Sequence, residues 1–413
     1  AVVVAAAVVA AVLVASGGGP RHRQPRGGAS SASTRSNGGA GARPNGGAGT
    51  STTPTQPGPT ATQPAALPAP SGEELGVNVN RLFNDFAYTP AQIDAQLAAV
   101  RATGATIARS DALWEATEPH APAGGRHDWK WSFDDQIAGS LAAHGLTWLP
   151  ILDYTAPWAQ SIRGQDHSPP RSDAGYAAYA AAFAARYGSG GTFWHEHSGL
   201  TARPVGAIEI WNEPDNGQFW EPSPDPGAYA QLYLAARAAI DAADPGIRVL
   251  VGGLTKPASF LPAMAQAAPG LSGHIDGVAI HPYGRPAVVA GKVASARSTL
   301  MALGMAKVPL YVTEFGWTTQ PASAPDYAPE SVRPSYIERT LAELAGSGCG
   351  VAASLLYTWV TPERDPTDAQ DWYGIADPSS AASPTPDTTA FAAGLHAAAG
   401  MSATSSTPAP CAG

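Results

Sequence analysis

Two short stretches each set a glutamate at the end of an apolar run. Ile208-Glu209-Ile210-Trp211-Asn212-Glu213-Pro214 reads as a buried strand that stops at a proline, with a carboxylate at its exit. Val308-Pro309-Leu310-Tyr311-Val312-Thr313-Glu314-Phe315-Gly316-Trp317 repeats that plan, and Glu314 follows Glu213 by 101 residues. Two carboxyl groups facing each other across one sugar ring suit double displacement at a glycosidic bond. One attacks the anomeric carbon while the other gives and later takes a proton. They must hold opposite protonation states in one site, so their surroundings must differ.

Glutamates so far apart in sequence need a scaffold that brings strand ends together. From Leu75 onward, short β-like runs alternate with Ala-rich helical runs. The strands are expected at 75–79, 106–109, 147–152, 205–211, 248–251, 275–280, 310–313 and 351–359. Helices are expected between and after them, at 90–102, 133–144, 173–187, 226–243, 258–267, 286–303, 331–345 and 388–399. Eight strand–helix pairs predict an α/β fold, the (β/α)₈ TIM barrel, over residues 73–400. Such barrels place their chemistry at the C-terminal strand ends. Arg109, Asp153, Asn212, Glu213, His281, Tyr283, Glu314 and Trp359 all fall at those ends, with Trp158 and Trp317 just beyond. Side-chain alternation would put Glu209, Trp211 and Glu213 on one face.

With Trp211-Asn212-Glu213-Pro214 at the fourth strand and Thr313-Glu314-Phe315-Gly316-Trp317 at the seventh, the chain resembles glycoside hydrolase clan A. These are retaining (β/α)₈ glycosidases, and the likeness covers about residues 75–400. Within the clan it looks most like families 39 and 5, including bacterial exopolysaccharide-degrading relatives. The resemblance implies Glu213 as acid/base and Glu314 as nucleophile. It also implies Asn212 on the substrate 2-hydroxyl, and Arg109 and Tyr283 on the nucleophile. The loops Gly164–Ser172 and Glu363–Trp372 match nothing in it.

The other candidates have plainer alternatives. Arg109 could equally be the buried partner of Glu209, which lies deeper on the same strand face. His281 is expected to touch substrate, although a satisfied core histidine looks the same in sequence. Trp317 and Trp359 are expected to be sugar platforms, and Asp153 and Trp158 further substrate contacts; ordinary packing is the alternative for tryptophan. His195-Glu196-His197 lacks a third ligand at helical spacing and precedes the fourth strand, so no metal is expected. No cofactor is implied. A phosphate-handling barrel is set aside, because no Gly-rich loop follows strand seven or eight. The expected function is retaining hydrolysis of a β-linked oligo- or polysaccharide by a monomer. The alternative is a glycan-binding surface protein on a barrel without catalysis.

The rest of the 413-residue chain bears on location. Residues 1–16 are almost wholly apolar and read as a signal-peptide core or a membrane anchor. Residues 17–72 are rich in Gly, Ser, Thr, Pro and Ala and are expected to be a disordered linker. Residues 1–70 hold five Arg and no Lys, Asp or Glu, so of the net −9 the remainder carries −14, 19 basic against 33 acidic. Such a domain is a poor partner for nucleic acid, and a membrane would be met only through the N-terminal segment. A secreted or cell-surface location is expected. Cys349 precedes strand eight at the N-terminal face, and the last helix runs back to that face ahead of Cys411 in the 401–413 tail. The two are expected to form a disulfide.

Overall fold

A computed structural model describes residues 72–84, 87–361, 364–402 and 411. The chain divides into units 1–62 and 63–413, and the first lies outside the described residues. The expected signal or anchor at 1–16 and nearly all of the 17–72 linker fall there.

Eight parallel strands close into a barrel in sequence order, the first hydrogen-bonded to both the second and the eighth. They are β1 Glu74–Asn78, β2 Ile107–Leu113, β3 Thr147–Asp153, β4 Ala207–Ile210, β5 Arg248–Leu254, β6 Gly277–Ile280, β7 Leu310–Phe315 and β8 Val351–Leu356. The long helices that follow them are α1 Pro90–Ala102, α2 Ser132–Ala143, α3 Asp173–Tyr187, α4 Pro226–Ala243, α5 Pro257–Ala267, α6 Pro286–Ala302, α7 Arg333–Gly346 and α8 Pro386–Ser402. The expected (β/α)₈ architecture is the observed one.

Local chemistry explains where the helices start. Thr89 caps α1, accepting from the Gln92 amide while Gln92 Oε1 accepts from the Thr89 amide, and Pro90 occupies the first turn. Asp225 caps α4 through the Gly227 and Ala228 amides, again ahead of a proline. The apolar stripe of α3 buries Tyr176, Tyr179, Ala180, Phe183, Ala184 and Tyr187, a spacing of three and four that keeps one helix face inward. Each large ring buried there contributes about 1.5–3 kcal/mol.

Tyrosine hydroxyls tie this helical layer to the strands. Tyr176 donates to Leu152 O at 2.5 Å, Tyr179 to Ala112 O at 2.8 Å and Tyr229 to Ile210 O at 2.7 Å. These acceptors lie at or near the C-terminal ends of β3, β2 and β4, so the helices fix the strand exits that carry the polar residues.

Inside the barrel the lower layer is apolar: Ile107, Leu149, Ala207, Leu250, Ala279, Tyr311, Ala353 and Leu355. Above it the lumen turns polar at Arg109 and Glu209, both buried. Trp211 does not share the lumen face of Glu209. β4 ends at Ile210, Trp211 takes φ 66° and Glu213 φ 46°, and the ring of Trp211 packs outward among Tyr154, Tyr176 and Trp220. Left-handed backbone at a residue with a Cβ breaks the strand alternation that the sequence reading assumed.

Cys349 and Cys411 are joined, with Cα atoms 4.7 Å apart, closing a loop of 62 residues. Loop-closure entropy for that length gives the bond a worth of roughly 4 kcal/mol. Cys411→Ser is therefore expected to lower the melting temperature by several degrees; an unchanged melting curve under oxidising conditions would contradict this. No helix among the described residues is long and apolar enough to cross a membrane.

Candidate active site

Glu314, on β7, and Glu213, just past β4, meet above the polar lumen. Their nearest carboxylate oxygens and His281 Nδ1 all lie within 4.8 Å of one another. Each glutamate is 8% exposed, enough to face an opening while remaining largely desolvated.

Arg109 organises the floor and settles the choice left open above, because it does both things. Its Nε and Nη2 bind Glu209 at 2.8 and 3.1 Å, and Nη1 binds Glu314 Oε1 at 2.6 Å. It also donates to Asn78 Oδ1 at 2.9 Å and Asn212 Oδ1 at 3.0 Å. Burial works against its charge, but Glu209 and Glu314 outweigh burial and hold it protonated. Asn78, at the end of β1, ties this floor to β7 and β8 through Thr313 O and Leu356 O.

The two glutamates have different neighbours. Glu314 Oε2 accepts from the Tyr283 hydroxyl at 2.6 Å. Burial alone would raise the Glu314 pKa; the charges of His281 and Arg109 and the Tyr283 and Arg109 hydrogen bonds outweigh it, holding the carboxyl below its ordinary range. Glu213 instead pairs with His281 Nδ1 at 2.8 Å through Oε1 and with Asn216 Nδ2 at 2.8 Å through Oε2. Burial disfavours charge on His281, but Glu314 and Glu213 overcome that and raise its pKa. His281 Nδ1 thus stands between the two carboxyl groups, 2.8 Å from Glu213 Oε1 and 3.6 Å from Glu314 Oε2.

Gly252 and Gly253 on β5 make this arrangement possible. A Cβ at Gly252 would sit 2.1 Å from Trp211 O, and one at Gly253 would sit 2.0 Å from His281 Nε2. The Gly253 amide also donates to Glu209 Oε1 at 2.6 Å. Gly253→Ala is expected to push the His281 ring off Glu213 and cut kcat by roughly 10²-fold, the effect of a misplacement of about 1 Å. Wild-type turnover in a folded Gly253→Ala protein would refute the packing argument.

The structure corrects several expected contacts. Trp317 and Trp359 are 2% and 1% exposed, and their indole N–H groups are used internally, on Gly284 O and Gln96 Oε1. Neither presents a ring face to a sugar, because each is a packing element under the rim. Asp153 is also fully buried, behind Asp111, and cannot touch substrate directly. Trp158 stands edge-on to Trp114 and lines a cavity of about 470 Å³ with His127, Arg171 and Gly175, a lining that includes neither glutamate. Arg109, His281 and Tyr283 each contact one of the two glutamates, and Asn212 Oδ1 accepts from Arg109. His195 and His197 belong to the short helix Thr192–Glu196 and its cap, ahead of β4.

The sequence reading missed Asn78, Asn216, Gly252, Gly253 and the tyrosines Tyr357 and Tyr373. Tyr283, Tyr357 and Tyr373 form an edge-to-face trio with ring centroids 5.4–6.3 Å apart, next to Glu314. Tyr373 is buried and Tyr283 half-buried, as is Tyr357 just past the end of β8. The place of Tyr357 beside Trp359 was legible; which of the two rings is the more buried was not.

A closed eight-stranded barrel with two glutamates at the exits of β4 and β7 defines the fold class. Solved structures with this fold include a family 39 β-xylosidase from Caulobacter crescentus, at 22% identity and TM-score 0.59, covering 80% of this chain and 72% of that one. The family 39 enzyme of Xanthomonas axonopodis pv. citri is similar at 20% identity and TM-score 0.59, covering 79% and 67%. A family 53 catalytic domain from Ignisphaera aggregans is similar at 16% identity and TM-score 0.54, covering 81% and 99%. At these identities the likeness establishes the fold. No family model and no curated protein matches the sequence.

Proposed function

We propose that the chain is a retaining glycosidase acting on a β-linked glycan. The observation that carries this is the Glu213–His281–Glu314 cluster, whose facing atoms lie within 4.8 Å. That gap fits the roughly 5–5.5 Å of double displacement and not the roughly 6.5–9.5 Å that inversion needs for an intervening water. The glycosidases that share the fold support the same reading.

In the first step the Glu314 carboxylate attacks the anomeric carbon as Glu213 protonates the departing oxygen. A sugar ester forms on Glu314 and the aglycone leaves with the proton. The ester carries no charge, so Glu213 now faces a neutral partner and takes a proton from water. That water attacks the anomeric carbon, releases the sugar with its original configuration and regenerates both carboxyl groups. Arg109 and Tyr283 hold the Glu314 oxygens, and Asn212, whose Oδ1 accepts from Arg109, is the residue we assign to the sugar's 2-hydroxyl.

Digestion of a glycan panel with proton NMR of the first-formed anomer tests this. Retained β-configuration is expected, and an inverted first product would end the retaining mechanism. Binding without any hydrolysis would favour the non-catalytic glycan-binding reading.

The pH profile is a second check. Glu314 works as the anion and its pKa is lowered, so the acid limb of kcat/KM should lie below the ordinary glutamate value of 4.5. Tyr283→Phe removes one hydrogen bond to the anion, so that limb should move up in pH and kcat should fall. An acid limb unmoved by this substitution would show that the bond does not tune Glu314.

We further propose a secreted or cell-surface monomer. The disulfide suits an oxidising compartment, and the apolar 1–16 segment suits export or anchoring.

A further inference from the structure

The two oxygens of Glu213 have different surroundings. Oε1 lies on the side of the nucleophile, since His281 Nδ1 is its neighbour and that of Glu314 Oε2 as well. Oε2 is turned back to its own loop, where it accepts from Asn216 Nδ2 at 2.8 Å. The Asn216 amide has one orientation open to it. Its Oδ1 accepts from the Gln218 backbone N–H at 3.1 Å, so the end facing Glu213 is the NH₂ group, which can only donate. The turn that carries Asn216 is itself tied down. Asn216 N–H donates to Glu213 O at 2.9 Å, and Asn216 O accepts from the Phe219 and Trp220 amides. Asp215, 3% exposed, fastens the turn to the exit of β5. Its Oδ1 accepts from the Thr255 amide and hydroxyl, both at 3.1 Å, and its Oδ2 accepts from the Lys256 amide. The Trp211 indole N–H donates to Phe219 O, closing the loop from below. Glu213 takes φ 46°, a left-handed backbone that a residue with a Cβ keeps only where its surroundings impose it.

We propose that Asn216 is a positioning residue for both halves of the reaction. It holds Oε2, so that Oε1 is the oxygen through which Glu213 gives its proton to the leaving group and takes one from water. The last torsion of a glutamate is broad and roughly two-fold, so without an anchor the carboxyl group turns and Oε1 faces the gap for less of the time. A small misplacement of a reacting group costs rate even where every other contact survives. In the first step the Oε1–H bond breaks as the proton passes to the departing oxygen. In the second step a water O–H bond breaks and Oε1–H forms again. Oε2 keeps its hydrogen bond to Nδ2 throughout. A donor on a carboxyl oxygen also favours the charged form, which is the form that accepts the proton from water. Asp215 supports this one shell further out, by fixing the backbone from which Asn216 reaches Glu213.

The inference rests on the glycosidase reading, and its test separates the two. Two aryl β-glycosides of the sugar that the glycan panel identifies are compared. The phenyl glycoside needs a proton on its leaving group, and the dinitrophenyl glycoside does not. In Asn216→Ala, kcat/KM on the phenyl glycoside should fall roughly tenfold, the effect of one hydrogen bond to a charged group. On the dinitrophenyl glycoside kcat/KM should stay near wild type while kcat falls, because water is less well activated. Azide, a nucleophile that needs no base, should restore that kcat and give the glycosyl azide. Asn216→Asp matches the native side chain in size and keeps an acceptor for the Gln218 amide but loses the donor. It should show the same selective loss, and it serves if the alanine variant does not fold. A purely structural role would lower kcat/KM on both glycosides together and leave azide without effect. That pattern, or wild-type kinetics in either folded variant, overturns the assignment while the glycosidase reading stands. If the wild-type protein hydrolyses no glycoside at all, both readings fail.

Discussion

Glu314→Gln is expected to reduce kcat/KM on the best substrate by on the order of 10⁴-fold or more, because the amide cannot form the sugar ester. The fold should survive, since glutamine has the same shape and keeps an oxygen for Arg109 Nη1 or Tyr283. Glu213→Gln should behave differently. With a leaving group that departs without a proton, its first step persists and the sugar ester accumulates, because no base remains to activate water. Mass spectrometry would show a protein heavier by one glycosyl residue in Glu213→Gln and none in Glu314→Gln. A Glu314→Gln protein keeping more than roughly one per cent of activity would remove the nucleophile and the mechanism with it.

Arg109→Met should be the most damaging single change to stability. Arg109 is 1% exposed and answers Glu209, which is fully buried, as well as Glu314, Asn78 and Asn212. Deleting one partner of a buried ion pair strands the other, at about 3–5 kcal/mol. A second substitution, Glu209→Leu, removes the stranded charge and should recover most of that loss, since a packed apolar pair can replace a buried ionic one. Activity should not return, because Glu314 and Asn212 still lack their donor. Denaturant melts and kcat/KM measured on both variants would separate the two roles. Recovery of activity in the double variant would show that Arg109 serves structure alone.

The sequence was informative where local chemistry and periodicity agree. Pro at the first turns of α1, α4 and α6, the Thr89 and Asp225 caps, and the stripe on α3 are near-neighbour effects, so those helices begin where expected. Glu213 and Glu314 stood out because a carboxylate at the end of an apolar strand is costly without a use. Alternation failed at Trp211, where a left-handed backbone takes over. The tryptophans misled for a related reason: Trp317 and Trp359 sit after strand ends, but ring direction depends on what packs against each face. Gly252 and Gly253 looked like any pair of glycines until the Trp211 carbonyl and the His281 ring were seen pressed against them.

By itself the sequence determined the eightfold strand–helix rhythm, the two acids and the cysteine pair, because each is written in residue type, period or position along the chain. Only the tertiary structure decided that Arg109 serves Glu209 and Glu314 together, that His281 stands between the glutamates, and that Asp153 lies sealed behind Asp111. Those outcomes depend on distances across the barrel between residues up to 205 positions apart. Closure of the barrel sets these distances, and no local spacing encodes them.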